Sequence, residues 1–346
     1  MKTQVIDARR QFEAGTQLGG RLLREGELVA FPTETVYGLG ADGLNENAVQ
    51  RIFEAKGRPC DNPLILHIIN KSDARKLWDT VPEKARLLMD AFWPGPLTLV
   101  YTKAAIVPDA VTAGLDTVAV RMPENKTARA LIKAAGVPVA APSANRSGRP
   151  SPTTAAHVLE DMDGKIPLII DGGACAFGLE STVLAVGTTP MLLRPGMVTQ
   201  SMIEAVVGPI KLHKSLLAPL ANSEDAASPG MKYKHYAPDA RVLVVSGALH
   251  PMAQRLIELY EAHTAAGEAC ILFATEQTKH FYRGRECVII GDRKQPQTLC
   301  RNLFAYLRDY GSRADVLLCE GMPAEEAGLA FMNRLLRAAG FNCIHV

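Results

Sequence analysis

Residues 31–43 read FPTETVYGLGADG. Apolar residues lead into this stretch (Leu28, Val29, Ala30, Phe31) and resume as Val36, Tyr37 and Leu39 behind the polar triplet Thr33, Glu34, Thr35. Gly38, Gly40 and Gly43 have the G-x-G-x-x-G spacing of a dinucleotide-binding turn, so this stretch decides whether the chain opens as a doubly wound nucleotide fold. That reading fails on three counts. Asn45 is a good N-cap for ENAVQRIFEAK, so the third glycine falls outside the helix it should pack against. The acidic residue expected after the second strand is missing, because PLILHI is followed by INKS. Pro32 and the polar triplet occupy what should be a clean apolar strand. The glycines therefore read as turn positions with positive φ. The threonines read as alternating strand residues, Thr33 and Thr35 on one face and Glu34 on the other.

Working outward, 346 residues exceed one typical core and point to two domains. No apolar run approaches the ~20 residues of a membrane-spanning helix, and the N-terminus has no apolar segment of a secretory signal. Seven cysteines without a C-x-x-C pair fit reduced thiols in a cytoplasm better than disulfides or zinc. A net charge of +2 without a basic block gives no sign of a nucleic-acid partner. Residues 213–240, HKSLLAPLANSEDAASPGMKYKHYAPDA, break the composition and read as a linker between a domain at 1–212 and another at 241–346. In the second, RVLVV, ACILFA, CVIIG and VLLCE alternate with three amphipathic helices, which predicts a small, mostly parallel sheet. In the first, GELVAFPT, PLILHI, LTLVYT, TVAVRMP, VPVAAPSA, PLIIDGG and STVLAVG read as strands. Helices are expected at 7–25, 45–56, 72–78, 82–92, 126–135 and 151–162, and hairpin spacings predict a mixed sheet, hence an α/β (mixed α+β) class.

Three polar clusters carry the chemistry. Lys56 and Arg58 flank Gly57 at a helix end, where they complement the helix dipole or clamp an anion, with Gly57 admitting a ligand to the backbone. Asn62 and His67 bracket the next strand. Residues 141–154, APSANRSGRPSPTT, hold Ser143, Ser147, Ser151, Thr153 and Thr154 with Asn145, Arg146 and Arg149, and no acid. Ser151-Pro152 reads as an N-cap followed by proline at the first helical position, a start suited to an anion. DGGACAFGLEST repeats the idea, with Gly172 and Gly173 offering backbone N–H groups ahead of Ser181 and Thr182, while Arg121 and Arg194 add cations at strand ends. No P-loop, H-E-x-x-H, G-x-S-x-G or EF-hand pattern occurs. These residues support a site for an anionic, phosphorylated small molecule without naming the reaction.

Taken in order, FPTETVYGLGAD, KGRPCDNPLILHI, FWPGPLTLV, VAVRMP, APSANRSGRPSPT, DGG…GLESTV and LLRPG resemble the Sua5/YrdC family of threonylcarbamoyl-AMP synthases, and PGMKYKHYAP with the α/β tail resembles its longer, two-domain branch. The resemblance implies a large, twisted, mixed-sheet YrdC-like domain around a basic cavity and a small Rossmann-like C-terminal domain. It implies that L-threonine, bicarbonate or CO2, and ATP with Mg2+ give threonylcarbamoyl-AMP and pyrophosphate, with no protein-held metal and no tightly bound organic cofactor. The product feeds N6-threonylcarbamoyladenosine formation in tRNAs that read ANN codons, through separate transfer proteins; direct tRNA binding is left open, and no membrane is involved. The family's catalytic signature falls on Lys56, Arg58, Ser143 and Asn145. Its threonine contacts fall on Thr35, His67, Arg121 and Ser181. Its nucleotide contacts fall on Asn62, Thr117, Ser151, Arg194 and Tyr236, besides Lys56, Arg58 and Ser143. Cys60 departs from the pattern, which has a more polar residue there. Tyr233 and Tyr236, among Lys232, Lys234 and His235, are expected to act as a lid. Two rivals stay open on sequence: the related carbamoyltransferase module of hydrogenase maturation, whose usual zinc-finger cysteines are missing, and an RNA-binding or ribosome-assembly protein.

Overall fold

The computed structural model describes residues 2–217 and 236–346; Lys232, Tyr233, Lys234 and His235 of the expected lid lie outside them. The described residues form two compact units, 2–147 with 151–217, and 148–150 with 236–346.

The first unit is built on an eleven-stranded sheet. From one edge the strands are Gln4–Asp7, Leu168–Asp171, Val29–Phe31, Gly38–Asp42, Val139–Ala140, Ile65–His67, Thr117–Arg121, Leu97–Thr102, Thr182–Ala185, Met191–Arg194 and Lys211–Leu212. Parallel and antiparallel neighbours mix, as the hairpin spacings predict. Helices Phe12–Arg24 and Lys126–Ala135 seal one region of it through Leu23, Leu131 and Ile132 against Val29, Phe31 and Ile170. Helix Glu46–Lys56 starts where expected, Asn45 accepting the Ala48 N–H at 3.2 Å.

Several expectations are corrected. The stretch after the polar triplet is a strand, Gly38–Asp42, paired antiparallel with Val29–Phe31. None of Gly38, Gly40 and Gly43 has a positive φ. They are glycines because neighbours press in: a Cβ at Gly40 would lie 2.9 Å from Phe31 Cε1 and Val139 Cγ1, and one at Gly43 would lie 2.4 Å from Leu66 Cδ2 and 2.8 Å from the Pro138 carbonyl. Gly57 does use the left-handed region, φ +58°, but as a helix C-cap. The helix expected from residue 7 begins at Phe12, because Gln4–Asp7 forms a short edge strand parallel to Leu168–Asp171. The helix expected from 151 begins at Ala155 and is capped by Thr154, whose hydroxyl accepts the His157 N–H. A second hydroxyl three residues on has won the cap from Ser151.

The second unit is a five-stranded sheet ordered Cys287–Gly291, Cys270–Thr275, Val316–Glu320, Arg241–Ser246, Cys343–His345. Every neighbouring pair is parallel. The last strand, only three residues long, is absent from the sequence expectation. At the carboxyl ends, the buried Glu320 carboxylate accepts from Tyr282 Oη at 2.8 Å and Thr275 Oγ1 at 2.9 Å and pairs with Arg293 at 3.3 Å. All seven cysteines are free, and no helix among the described residues is long and apolar enough to cross a membrane.

The close approach at Gly43 makes a direct prediction. Gly43→Ala should lower unfolding free energy by about 1–3 kcal/mol through overpacking. Gly187→Ala, where nothing lies within 4 Å, should be near neutral in the same denaturant titration.

Candidate active site

Strand register places three polar side chains in a row. His67 pairs with Arg121 on the next strand, and Arg121 pairs with Thr98 on the one after. Two residues along each strand, on the same face, Ile65, Ala119 and Val100 pack with Val183 and Leu193. An apolar patch thus adjoins the row, whose members are 4%, 4% and 0% exposed. Buried polar groups of this kind must be satisfied internally or by a ligand.

Arg121 is the centre of the row. Its Nε donates to the Gly95 carbonyl at 3.3 Å, Nη1 to Thr35 Oγ1 at 2.9 Å and Nη2 to Glu34 Oε1 at 2.5 Å. Glu34 Oε2 accepts the backbone N–H groups of Glu124 and Asn125 at 3.2 and 3.3 Å. Burial pushes the Glu34 carboxyl upward, but the adjacent Arg121 charge and these hydrogen bonds outweigh it, so its pKa lies below the usual range.

The triplet that supplies Glu34 and Thr35 is a turn, not an alternating strand. Thr33 Oγ1 accepts the N–H groups of Thr35 and Val36 at 3.1 and 3.2 Å and donates to the Val36 carbonyl at 2.6 Å. A hydroxyl standing in for a backbone acceptor bends the chain here. Glu34 and Thr35 therefore both reach Arg121, against the expectation of opposite faces.

Beside this turn runs the loop 141–145. Ser143 bridges Gly38, and the Ala144 N–H donates to the Tyr37 carbonyl at 2.9 Å. Lys56 Nζ, 3% exposed, donates to the carbonyls of Ser143 and Asn145. Ser143 Oγ donates to Asn145 Oδ1 at 2.5 Å, and the Asn145 amide donates to the Arg146 carbonyl at 2.8 Å. Arg58 Nη2 donates to the carbonyls of Asn62 and Pro63, both at 3.2 Å. Asn62 is 1% exposed, and its Oδ1 has no hydrogen-bond partner among the described residues. Leaving such an atom unpaired costs about 1–3 kcal/mol, which a ligand donor would recover.

On the far side of the row, Thr98 Oγ1 lies 2.7 Å from Ser181 Oγ. Arg194 donates from Nη2 to that hydroxyl at 3.1 Å and from Nε to the Ser181 carbonyl at 3.0 Å. Ser151 donates to Glu180 Oε1 at 2.5 Å. The loop 141–154 is thus not served by cations alone: Glu180 meets it here, and buried Asp161 lies 3.6 Å from Arg146. The backbone N–H groups of Gly172 and Gly173, expected to face a ligand, donate instead to Tyr37 Oη and Asp171 Oδ1.

Lys56, Ser143, Asn145, Thr35, His67, Arg121, Ser181 and Arg194 are thus joined through hydrogen bonds and strand register, with Arg58 and Asn62 following directly after the Lys56 helix. Thr117 is half-buried on the Arg121 strand and face, roughly 13 Å away at ~3.3 Å per residue. Tyr236 belongs to the second unit, where its ring packs on Phe304 at 4.9 Å and under the Arg334 guanidinium at 5.8 Å. Cys60 is exposed. Glu34, Thr98 and Glu180 join this candidate site and are absent from the sequence expectation. The alternation of Thr98 with Val100 is the one signal that would have placed a hydroxyl in the row.

His67 is held neutral. Its Nδ1 lies 3.2 Å from the Ile65 carbonyl and its ring meets Phe31 edge-on at 6.3 Å. Burial, then the Arg121 charge, bring its pKa down to about 3. Between pH 6.5 and 3 the unfolded chain binds a proton at this position that the native protein refuses, so stability falls as pH falls. The contribution is about 1.4 kcal/mol per pH unit. His67→Gln should flatten the fall in unfolding free energy between about pH 6 and 4 by that slope, measured by urea titration.

The chain also matches known proteins. The Sua5/YciO/YrdC family model, described as "Telomere recombination", matches residues 21–196, and a model described as "Threonylcarbamoyl-AMP synthase, C-terminal domain" matches 198–340. A Threonylcarbamoyl-AMP synthase of Pyrococcus abyssi is 46% identical over 99% of this chain and 100% of its own, and one of Bacillus subtilis is 47% identical over 92% and 91%. The crystal structure of P. abyssi Sua5 complexed with L-threonine superposes with a TM-score of 0.94 at 46% identity, covering 99% of this chain and 100% of that one.

Proposed function

The chain belongs to the Sua5/YrdC family, and we propose that it is a threonylcarbamoyl-AMP synthase, a nucleotidyltransferase that joins L-threonine, bicarbonate or CO2, and ATP. One observation carries the reading. Three segments far apart in sequence, 33–37, 56–62 and 141–145, meet beside the His67–Arg121–Thr98 row, and buried Asn62 Oδ1 among them has no partner within the described residues.

The threonine amine, as the free base, attacks CO2 and loses a proton to give a carbamate. A carbamate oxygen then attacks the ATP α-phosphorus and pyrophosphate leaves. Negative charge builds on the phosphoryl oxygens, so fixed donors matter more than a strong base. Lys56 supports this role because the Ser143 and Asn145 carbonyls hold its ammonium in place before substrate arrives. Arg58, Ser143 and Asn145 complete the catalytic set. Arg121 takes the threonine carboxylate, and Thr35, His67 and Ser181 line the rest of the amino acid. Asn62, Thr117, Ser151 and Arg194 serve the nucleotide.

The donor set is cationic and hydroxyl-bearing, and no group of three or more His, Cys, Asp or Glu is placed to hold a metal among the described residues. Such a set suits Mg2+ carried in by the triphosphate, which keeps most of its ligands as water and phosphate oxygen. The product supplies N6-threonylcarbamoyladenosine to tRNAs reading ANN codons through separate transfer proteins in the cytoplasm.

Lys56→Ala should lower threonine-dependent pyrophosphate release on the order of 10²–10³-fold in protein whose circular dichroism is unchanged. Near-normal release would remove Lys56 from the mechanism. Substrate choice tests the amino-acid side. Serine should be used roughly 10–200-fold less well than threonine, and valine roughly 10⁴-fold less well, because it leaves the groups that bind the hydroxyl unpaired. Valine used as readily as serine would contradict the pocket.

A further inference from the structure

The premise here is the proposed function, in which Arg121 receives the substrate carboxylate. A guanidinium carries five N–H donors in a rigid fork. Three are taken within the protein, by the Gly95 carbonyl, Thr35 Oγ1 and Glu34 Oε1. Among the described residues one N–H on each terminal nitrogen has no partner, the number that the two oxygens of a carboxylate accept. Glu34 decides which two these are. Its second oxygen is tied to the backbone N–H groups of Glu124 and Asn125, at the entrance to helix Lys126–Ala135, so the carboxylate cannot swing away. At 6% exposure, water does not compete for it.

We propose that Glu34 is a positioning residue that sets substrate specificity: by pinning Arg121, it presents the two remaining N–H groups to a free α-carboxylate and makes the enzyme reject an α-carboxamide. The pairing has a second consequence. An isolated buried guanidinium would attract any anion, including the triphosphate of the co-substrate. Paired with Glu34, Arg121 carries little net charge and recognises a carboxylate by hydrogen-bond geometry, while phosphate charge is left to Lys56 and Arg58.

The test compares L-threonine with L-threoninamide in kcat/KM, with ATP and bicarbonate saturating, for the full-length wild type and for Glu34→Gln and Glu34→Asp. The ratio of the two substrates does not depend on how much enzyme is folded, so partial destabilisation does not mask the result. Wild type should prefer threonine by about 100-fold or more, since the carboxamide lacks the charge and one acceptor. Glutamine keeps the length but loses the charge, and aspartate keeps the charge but falls one methylene short of holding Arg121 and the backbone together. Both variants should lose roughly tenfold or more of the preference, and Glu34→Asp, which keeps the negative charge, should leave KM for ATP within about threefold of wild type. A wild-type preference that persists unchanged in both variants overturns the role of Glu34 and leaves Arg121 in place. A wild-type ratio near one removes the carboxylate from Arg121, and the proposal falls with it.

Discussion

The site depends on one constraint: a guanidinium buried in the middle of a sheet must have its charge paired. Arg121 sits between His67 and Thr98 on adjacent strands, shielded from water and offered one backbone acceptor, the Gly95 carbonyl. Burying one charge unpaired costs several kcal/mol, so the fold must bring a carboxylate to it. The 33–36 turn does this. Its geometry follows from the Thr33 hydroxyl replacing a backbone acceptor, which turns Glu34 and Thr35 toward the same side chain. The turn also fixes the strand Gly38–Asp42 and, through Tyr37 and Gly38, the loop that carries Ser143.

Electrostatics then divides the work. Arg121 is balanced by Glu34, and His67 is kept neutral by burial, so this part of the candidate site is built from oriented donors and acceptors with little net field. Two backbone carbonyls of the 141–145 loop anchor Lys56, and two more, from Asn62 and Pro63, anchor Arg58. Neutral carbonyls orient a cation without cancelling its charge. In the proposed mechanism, charge developing on phosphorus meets donors that need no reorganisation.

Much of this was legible from residue order, and the failures have physical causes. Helix Glu46–Lys56 was readable because Asn45 and Gly57 mark its two ends locally. Strands Leu97–Thr102 and Thr117–Arg121 were readable from β-branched runs. Gly38–Asp42 was not, because its glycines have low strand propensity and are required only by Phe31, Ala141 and Val139 pressing from other segments. Ser151-Pro152 looked like a helix start, yet Thr154 caps the helix and leaves Ser151 to Glu180. The cations and hydroxyls of the site were visible as strings. Their acidic partners were not: Glu34 and Arg121 are 87 residues apart, and Ser151 and Glu180 are 29 apart, distances over which no local rule operates.

The central claim is that this polar row and its flanking loops activate an amino acid through a carbamate on a nucleotide. It is tested most directly by incubating the protein with ATP, L-threonine and 13C-bicarbonate and reading the products by mass. The account predicts an adenylate that contains threonine, AMP and one labelled carbon, formed together with pyrophosphate and only when all three substrates are present. Pyrophosphate or AMP formed without threonine, or an adenylate without the labelled carbon, would contradict it.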